Sequence, residues 1–116
     1  MNQQTLSIIP MAAIHEMGKL IGERFHPDKV ILFGSYARGE ANINSDVDLM
    51  VVMESDAPRF RRSTPIRRAL STRWTEPIEV IVRSPEIYAK NRDVPYTLEY
   101  EATKDGVILY EKNRIR

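Results

Sequence analysis

Cysteine is absent from the chain, which removes thiol nucleophiles, thiolate zinc sites and disulfide scaffolds together. That absence is compatible with a reducing compartment. Histidine is almost absent too: His15 and His26 stand eleven positions apart with no clustered carboxylate beside them, so both read as structural or surface residues rather than metal ligands or bases. Excess charge of either sign is missing, because 17 Lys and Arg against 16 Asp and Glu leave a net charge of +1. No global field would hold the protein on nucleic acid, and any such attraction must be local. There is no apolar run long enough to span a bilayer. Met1 to Leu6 is polar and lacks the basic segment, apolar stretch and small-residue cleavage site of a secretory leader, so a frayed start and a cytoplasmic location are expected. Repeats, low-complexity segments and linkers are also missing. The 116 residues read as one domain, 1–116, able to bury nearly two-thirds of its unfolded surface without a structural metal.

Glycine is scarce as well, and two of the five, Gly34 and Gly39, lie in the stretch around which the chain is organised, Val30 to Met53. Val30 to Phe33 is β-branched and aromatic and reads as a buried strand. Gly34-Ser35 stops it and opens a short helical turn ending at Gly39. The free N–H groups of such a turn, with the Ser35 hydroxyl, suit an anion such as phosphate. Asp46-Val47-Asp48 then starts a second apolar run, Leu49 to Met53. Strand geometry puts Asp46 and Asp48 on one face, roughly 6.6 Å apart, with Val47 and Leu49 on the other. Two carboxylates so placed offer the oxygen ligands that Mg²⁺ prefers.

Ser35 and Asp46 are separated by ten positions, so the stretch resembles the GS-x10-D-x-D signature of the DNA polymerase β nucleotidyltransferase superfamily. Its smallest members include the antitoxins of HEPN/MNT toxin-antitoxin pairs. The resemblance covers roughly Lys29 to Glu111. It implies a serine turn holding the triphosphate of an NTP and acidic strand residues holding two Mg²⁺ ions. A hydroxyl then attacks the α-phosphorus and expels pyrophosphate. In those terms Asp46 and Asp48 bind both ions, and Gly34 and Ser35 cradle the β- and γ-phosphates. A third strand acid, usually aspartate, completes the metal site. Glu79 stands where it is expected, one methylene longer than usual. Arg38 on the short turn either braces the loop or reaches phosphate.

The remaining segments read as support. From Ile9 onward, Ile14, Met17, Ile21 and Phe25 define one face of a helix ending before Pro27. Gly18 and Gly22 in it suit close packing against a sheet or, alternatively, a partner helix. Glu54 to Pro58 is a polar connection. Arg59 to Trp74 carries Arg59, Arg61, Arg62, Arg67, Arg68 and Arg73, with Phe60, Ile66, Leu70 and Trp74 as apolar anchors, and predicts a basic amphipathic helix after Pro65. Those arginines could be a solvated face, contact triphosphate or nucleic acid, or dock an acidic partner. Pro77 to Arg83 predicts a third strand, with Ile78, Val80 and Val82 on one face and Glu79, Ile81 and Arg83 on the other. Ser84-Pro85-Glu86 predicts a capped helix through Tyr88. Pro95 predicts another through about Lys104, with Tyr96 and Tyr100 stacked and Gly106 in a left-handed C-terminal position. Tyr96, Tyr100 and Tyr110 are expected to be half-buried. Val107 to Tyr110 predicts an edge strand, and Lys112 to Arg116 a charged tail.

The expected architecture is an α/β domain with a mixed, four- or five-stranded twisted sheet, helices mainly on one face and the metal site along its rim. The resemblance implies Mg²⁺-dependent transfer of AMP from ATP to a hydroxyl. Because one small domain leaves little surface to grasp an acceptor, that hydroxyl is expected on another protein; the resemblance to the HEPN/MNT antitoxins implies a tyrosine of a HEPN-type toxin in a hetero-oligomer. A homodimer is the other expected assembly. Two alternatives stand beside this reading: a non-catalytic antitoxin that neutralises its partner by binding, and a stand-alone transferase acting on a small molecule or nucleic acid.

Overall fold

The computed structural model describes residues 8–112. The expected frayed start and most of the charged tail lie outside the described residues. Four strands, β1 (Lys29–Phe33), β2 (Val47–Val52), β3 (Ile78–Arg83) and β4 (Val107–Glu111), form one sheet in the order β3-β2-β1-β4. The sheet is mixed: β1 runs antiparallel to β2 and β4, whereas β2 and β3 are parallel. The parallel pair requires a crossover, supplied by a single turn of 3₁₀ helix (Arg59–Arg61) and helix α2 (Thr64–Leu70). Helix α1 (Met11–Phe25) precedes the sheet, and α3 (Pro85–Asn91) and α4 (Leu98–Asp105) join β3 to β4.

Period-2 alternation divides the strand residues between two cores. Val30, Leu32, Val47, Leu49, Val51, Val80 and Val82 face α1 and α2, where they meet Ile14, Met17, Ile21, Ile66 and Leu70. Ile31, Phe33, Met50 and Val52 face the other way, onto Tyr88 of α3 and Ala102 of α4. The larger core thus has the expected helical cover on one face, and α3 and α4 add a smaller layer on the other. The α1 glycines serve the sheet rather than a partner helix. A methyl group on Gly18 would strike Leu109, and one on Gly22 the ring of Tyr110, so their bareness lets α1 lie flat on β4.

Four details depart from the sequence reading. Phe60 is 79% exposed, because it sits on the 3₁₀ turn outside the helix and anchors nothing. Trp74 lies beyond the C-terminus of α2 and packs against the core from a loop. Helix α4 starts at Leu98 rather than Pro95, with Thr97 Oγ1 accepting the Tyr100 N–H at 3.0 Å. Tyr96 is left outside it with φ 73° and is 98% exposed. Gly106 is extended, with φ −77°, so its glycine answers a steric demand instead: a Cβ there would meet the Ala102 carbonyl and Ile31.

Candidate active site

The rim formed by the end of β1 and the starts of β2 and β3 gathers the residues singled out by the sequence. Antiparallel register sets Phe33 opposite Asp48, so the chain leaving β1 turns directly above the aspartate strand. Gly34 makes that turn with φ 77°, a left-handed conformation that side chains other than glycine resist. It also lies against the Asp48 carboxylate so closely that a Cβ would fall on Oδ2. One helical turn follows. The Gly34 carbonyl accepts from Ala37 N at 3.1 Å and Arg38 N at 3.2 Å, and the Ser35 carbonyl from Glu40 N at 2.9 Å. Gly39, at φ 72°, ends the turn as expected. Ser35 is half-buried, and its hydroxyl has no partner among the described residues.

Tyr36 holds this turn in place, a role the sequence reading missed although an aromatic directly after Gly-Ser was its signal. Its ring is buried in the larger core and its hydroxyl accepts the Ile9 N–H at 3.1 Å, so the turn is fastened to the approach to α1. The loop before β2 is tied to itself. Asn42 Oδ1 accepts from Asn44 N at 2.8 Å, and Ser45 Oγ accepts from Asn42 N at 2.9 Å, which delivers Asp46 from a defined turn.

Parallel register places Glu79 beside Asp48 and Ile78 beside Val47, and the Val47 N–H to Pro77 carbonyl bond at 3.0 Å carries the pairing out to the rim. Asp48 and Glu79 therefore share one face of two neighbouring strands, about 5 Å apart in the pairing direction, and Asp46, one residue before β2, is close enough for its charge to act on Asp48. Asp46 and Glu79 are exposed, and Asp48 is half-buried. Burial pushes the Asp48 carboxyl above its ordinary range, and the negative charges of Asp46 and Glu79 push it further, with Arg38 pulling weakly the other way. Arg38 is the cation of this rim. Its Nε donates to Glu40 Oε1 at 3.0 Å, and that bond is the main reason its guanidinium pKa is raised.

An all-oxygen set that repels itself is the donor chemistry a hard cation satisfies, and at Asp48 burial first, then the charges of Asp46 and Glu79, disfavour the bare carboxylate. Among the described residues no three His, Cys, Asp or Glu side chains converge into a ready-made metal cage. Mg²⁺ does not require one, since it binds through one or two carboxylates, with water and substrate phosphate completing its shell. The pair Asp46 and Asp48 fits that demand, and Glu79 stands one strand away.

Among the described residues the arginines of residues 59–73 make no ion pair with the rim carboxylates, although Arg67 lines a hollow with Glu76 and Ile78 beside the start of β3. Arg59 and Arg62 line a hollow with Val82 and Arg83, at the far end of β3 from Glu79. Arg73 lies 3.7 Å from Glu16 and 4.5 Å from the Trp74 ring. The two histidines are exposed, with His26 closing α1 at φ 50°. Among the described residues no helix is long and apolar enough to cross a membrane.

Over residues 16–115 the chain matches the family described as Polymerase beta, Nucleotidyltransferase. It is 32% identical over 82 residues to a candidate protein adenylyltransferase of Methanocaldococcus jannaschii, spanning 71% of this chain and 77% of that one. A second such protein of the same organism is 34% identical over 74 residues, 64% of this chain and 72% of the other. Among solved structures, a candidate nucleotidyltransferase from Sulfolobus solfataricus superposes with a TM-score of 0.61 at 20% identity, over 90% of this chain and 82% of that one. A chain of the toxin-antitoxin complex MntA–HepT superposes with a TM-score of 0.59 at 16% identity, over 90% and 76%. At these identities the two structures share the fold.

Proposed function

Because the chain belongs to the polymerase beta nucleotidyltransferase family, we propose that it is an Mg²⁺-dependent protein adenylyltransferase. It transfers AMP from ATP to a tyrosine hydroxyl of a HEPN-type toxin and acts as the antitoxin of that partner. One observation carries the reading: Gly34 lies against the Asp48 carboxylate, so the anion-binding turn and the acidic strand form one continuous rim. The curated relatives, named as protein adenylyltransferase candidates, support a protein acceptor. The fold shared with the MntA–HepT complex supports a toxin as that acceptor. Residues 1–116 act as a single nucleotidyltransferase domain.

In this reading the N–H groups of the Gly34–Gly39 turn and the Ser35 hydroxyl hold the β- and γ-phosphates, with Arg38 adding positive charge beside them. Asp46 and Asp48 would hold the metal ions, and Glu79 would bind or orient at the catalytic one. Bound Mg²⁺ supplies charge neutralisation on the phosphates and lowers the pKa of the acceptor hydroxyl. The acceptor oxygen forms a bond to the α-phosphorus, and the bond from that phosphorus to the β-bridging oxygen breaks. Pyrophosphate leaves with the electron pair, and the hydroxyl proton passes to solvent. The chain's own contribution is to align these groups and concentrate opposing charge where the phosphates bind.

The test separates modification from masking. The toxin is incubated with this chain, ATP and Mg²⁺, the two proteins are then separated, and toxin activity is measured. Inactivation that survives separation supports transfer. Full recovery of activity, with equal neutralisation by the Asp46→Asn, Asp48→Asn variant, would assign the effect to binding alone.

A further inference from the structure

The arginine-rich crossover has no part in the rim chemistry, yet it carries the chain's densest positive charge. Arg59, Arg61, Arg67 and Arg68 have no carboxylate within ion-pair reach among the described residues. Two hollows flank the 3₁₀ turn that bears the first of them. One, of about 480 Å³, is walled by Arg59 and Arg62 on one side and by Ile87, Leu98 and the Arg83–Glu99 pair on the other. The second, of about 430 Å³, is lined by Ala57, Pro58, Pro65, Arg61 and Arg68. Phe60 stands exposed on the same 3₁₀ turn, and the α3–α4 loop, which borders the first hollow at Asn91 and Thr97, exposes Val94 and Tyr96. Ile87 and Leu98, in the wall of the first hollow, are more than two-fifths exposed. Large exposed apolar side chains grouped around unpaired arginines mark an interaction surface rather than a solvated face.

We infer that this end of the molecule is a docking site for a partner-protein segment that presents aliphatic side chains flanked by Asp or Glu. The charge dictates the acidic flank, since Arg59, Arg61 and Arg68, without ion-pair partners among the described residues, offer bidentate carboxylate recognition at no cost to existing ion pairs. Aliphatic walls dictate the apolar part. Ile87, Leu98 and Val82 accept branched side chains, and a net charge of +1 does not support tracking along a nucleic acid. The wall is rigid where it needs to be. Arg83 Nε donates to Glu99 Oε2 at 2.6 Å with Glu99 buried, so Glu99 is neutralised within the fold and does not repel an incoming carboxylate.

Glu79 and Arg83 lie on the same face of β3, four residues or roughly 13 Å apart. A segment docked here is held on the face of the sheet that carries the carboxylates, at its opposite end. Docking and chemistry are therefore spatially separate.

The test uses the full chain, isotope-labelled for amide NMR, and two probes of matched charge. One is a helical peptide carrying Leu on one face and Glu on its flanks; the other is a single-stranded oligouridylate. The peptide should shift the amides of residues 57–68, 87 and 98 and leave those of 46–48 unmoved. Its affinity should fall about tenfold or more in an Arg59→Glu, Arg61→Glu, Arg68→Glu variant and separately in an Ile87→Ser, Leu98→Ser variant, both retaining the folded spectrum. The inference is overturned if the peptide shifts none of these amides, if both variants bind it like wild type, or if the oligouridylate binds here more tightly than the peptide.

Discussion

Asp48 bears the conflict between stability and chemistry in this fold. Its carboxyl is half-buried beside two further carboxylates, and its pKa is raised in the folded chain. Between the ordinary value and the raised one the folded state binds more protons than the unfolded chain, so stability falls as pH rises through that window. Without metal, Asp48→Asn should therefore unfold at a higher temperature than wild type at neutral pH, and the difference should shrink as the buffer is acidified below the usual carboxylate range. An unchanged midpoint at neutral pH would show that the repulsion at Asp48 is relieved in some other way. Glu79 poses a different question, because it is exposed and its neighbour across the strand is Asp48. Glu79→Gln should lose nucleotide transfer with little loss of stability, and Glu79→Asp should retain much of it. Equal transfer by Glu79→Gln and wild type would make this residue an ordinary strand carboxylate.

Elements are held to the sheet by two kinds of contact, one steric and one electrostatic. Helix α1 reaches β4 only because Gly18 and Gly22 carry no side chain. Gly22→Val should cost about 1–3 kcal/mol in urea unfolding, the range for an overpacked contact, and wild-type stability would show that Tyr110 swings clear. Helix α4 is tied to β3 by Arg83 and Glu99, the latter only 4% exposed. Arg83→Met should destabilise by about 3–5 kcal/mol by stranding a buried charge, and adding Glu99→Leu should recover most of the loss. Failure of the second change to recover stability would place the cost in packing rather than charge.

What the sequence made legible follows from the range of the forces involved. The rim was readable because the phase of neighbouring strands decides which residues share a face, as Asp48 and Glu79 do; Asp46, expected on that strand, stands one residue before it. Gly106 and Tyr96 were misread because local turn chemistry was expected to rule. At Gly106 the Ala102 carbonyl, with the tertiary contact of Ile31 behind it, leaves no room for a Cβ, and at Tyr96 the Thr97 cap starts the helix later than Pro95 suggested. Tyr36 was overlooked for the same reason, since its partner, Ile9, is distant in sequence.

At the scale of the whole molecule, charge is sorted to two ends: three carboxylates with Arg38 on one rim, and Arg59, Arg61 and Arg68, without ion-pair partners among the described residues, on the crossover near the other. A net charge of +1 conceals this division. The account holds that the acidic end performs chemistry. Its most direct test is the intact mass of a HEPN-type partner after incubation with this chain, ATP and Mg²⁺. Wild type should add whole AMP units to the partner, located on tyrosine by peptide mapping. The Asp46→Asn, Asp48→Asn variant should bind the partner and add none. An unmodified partner after incubation with wild type, or an adduct formed equally by the double variant, would contradict the account.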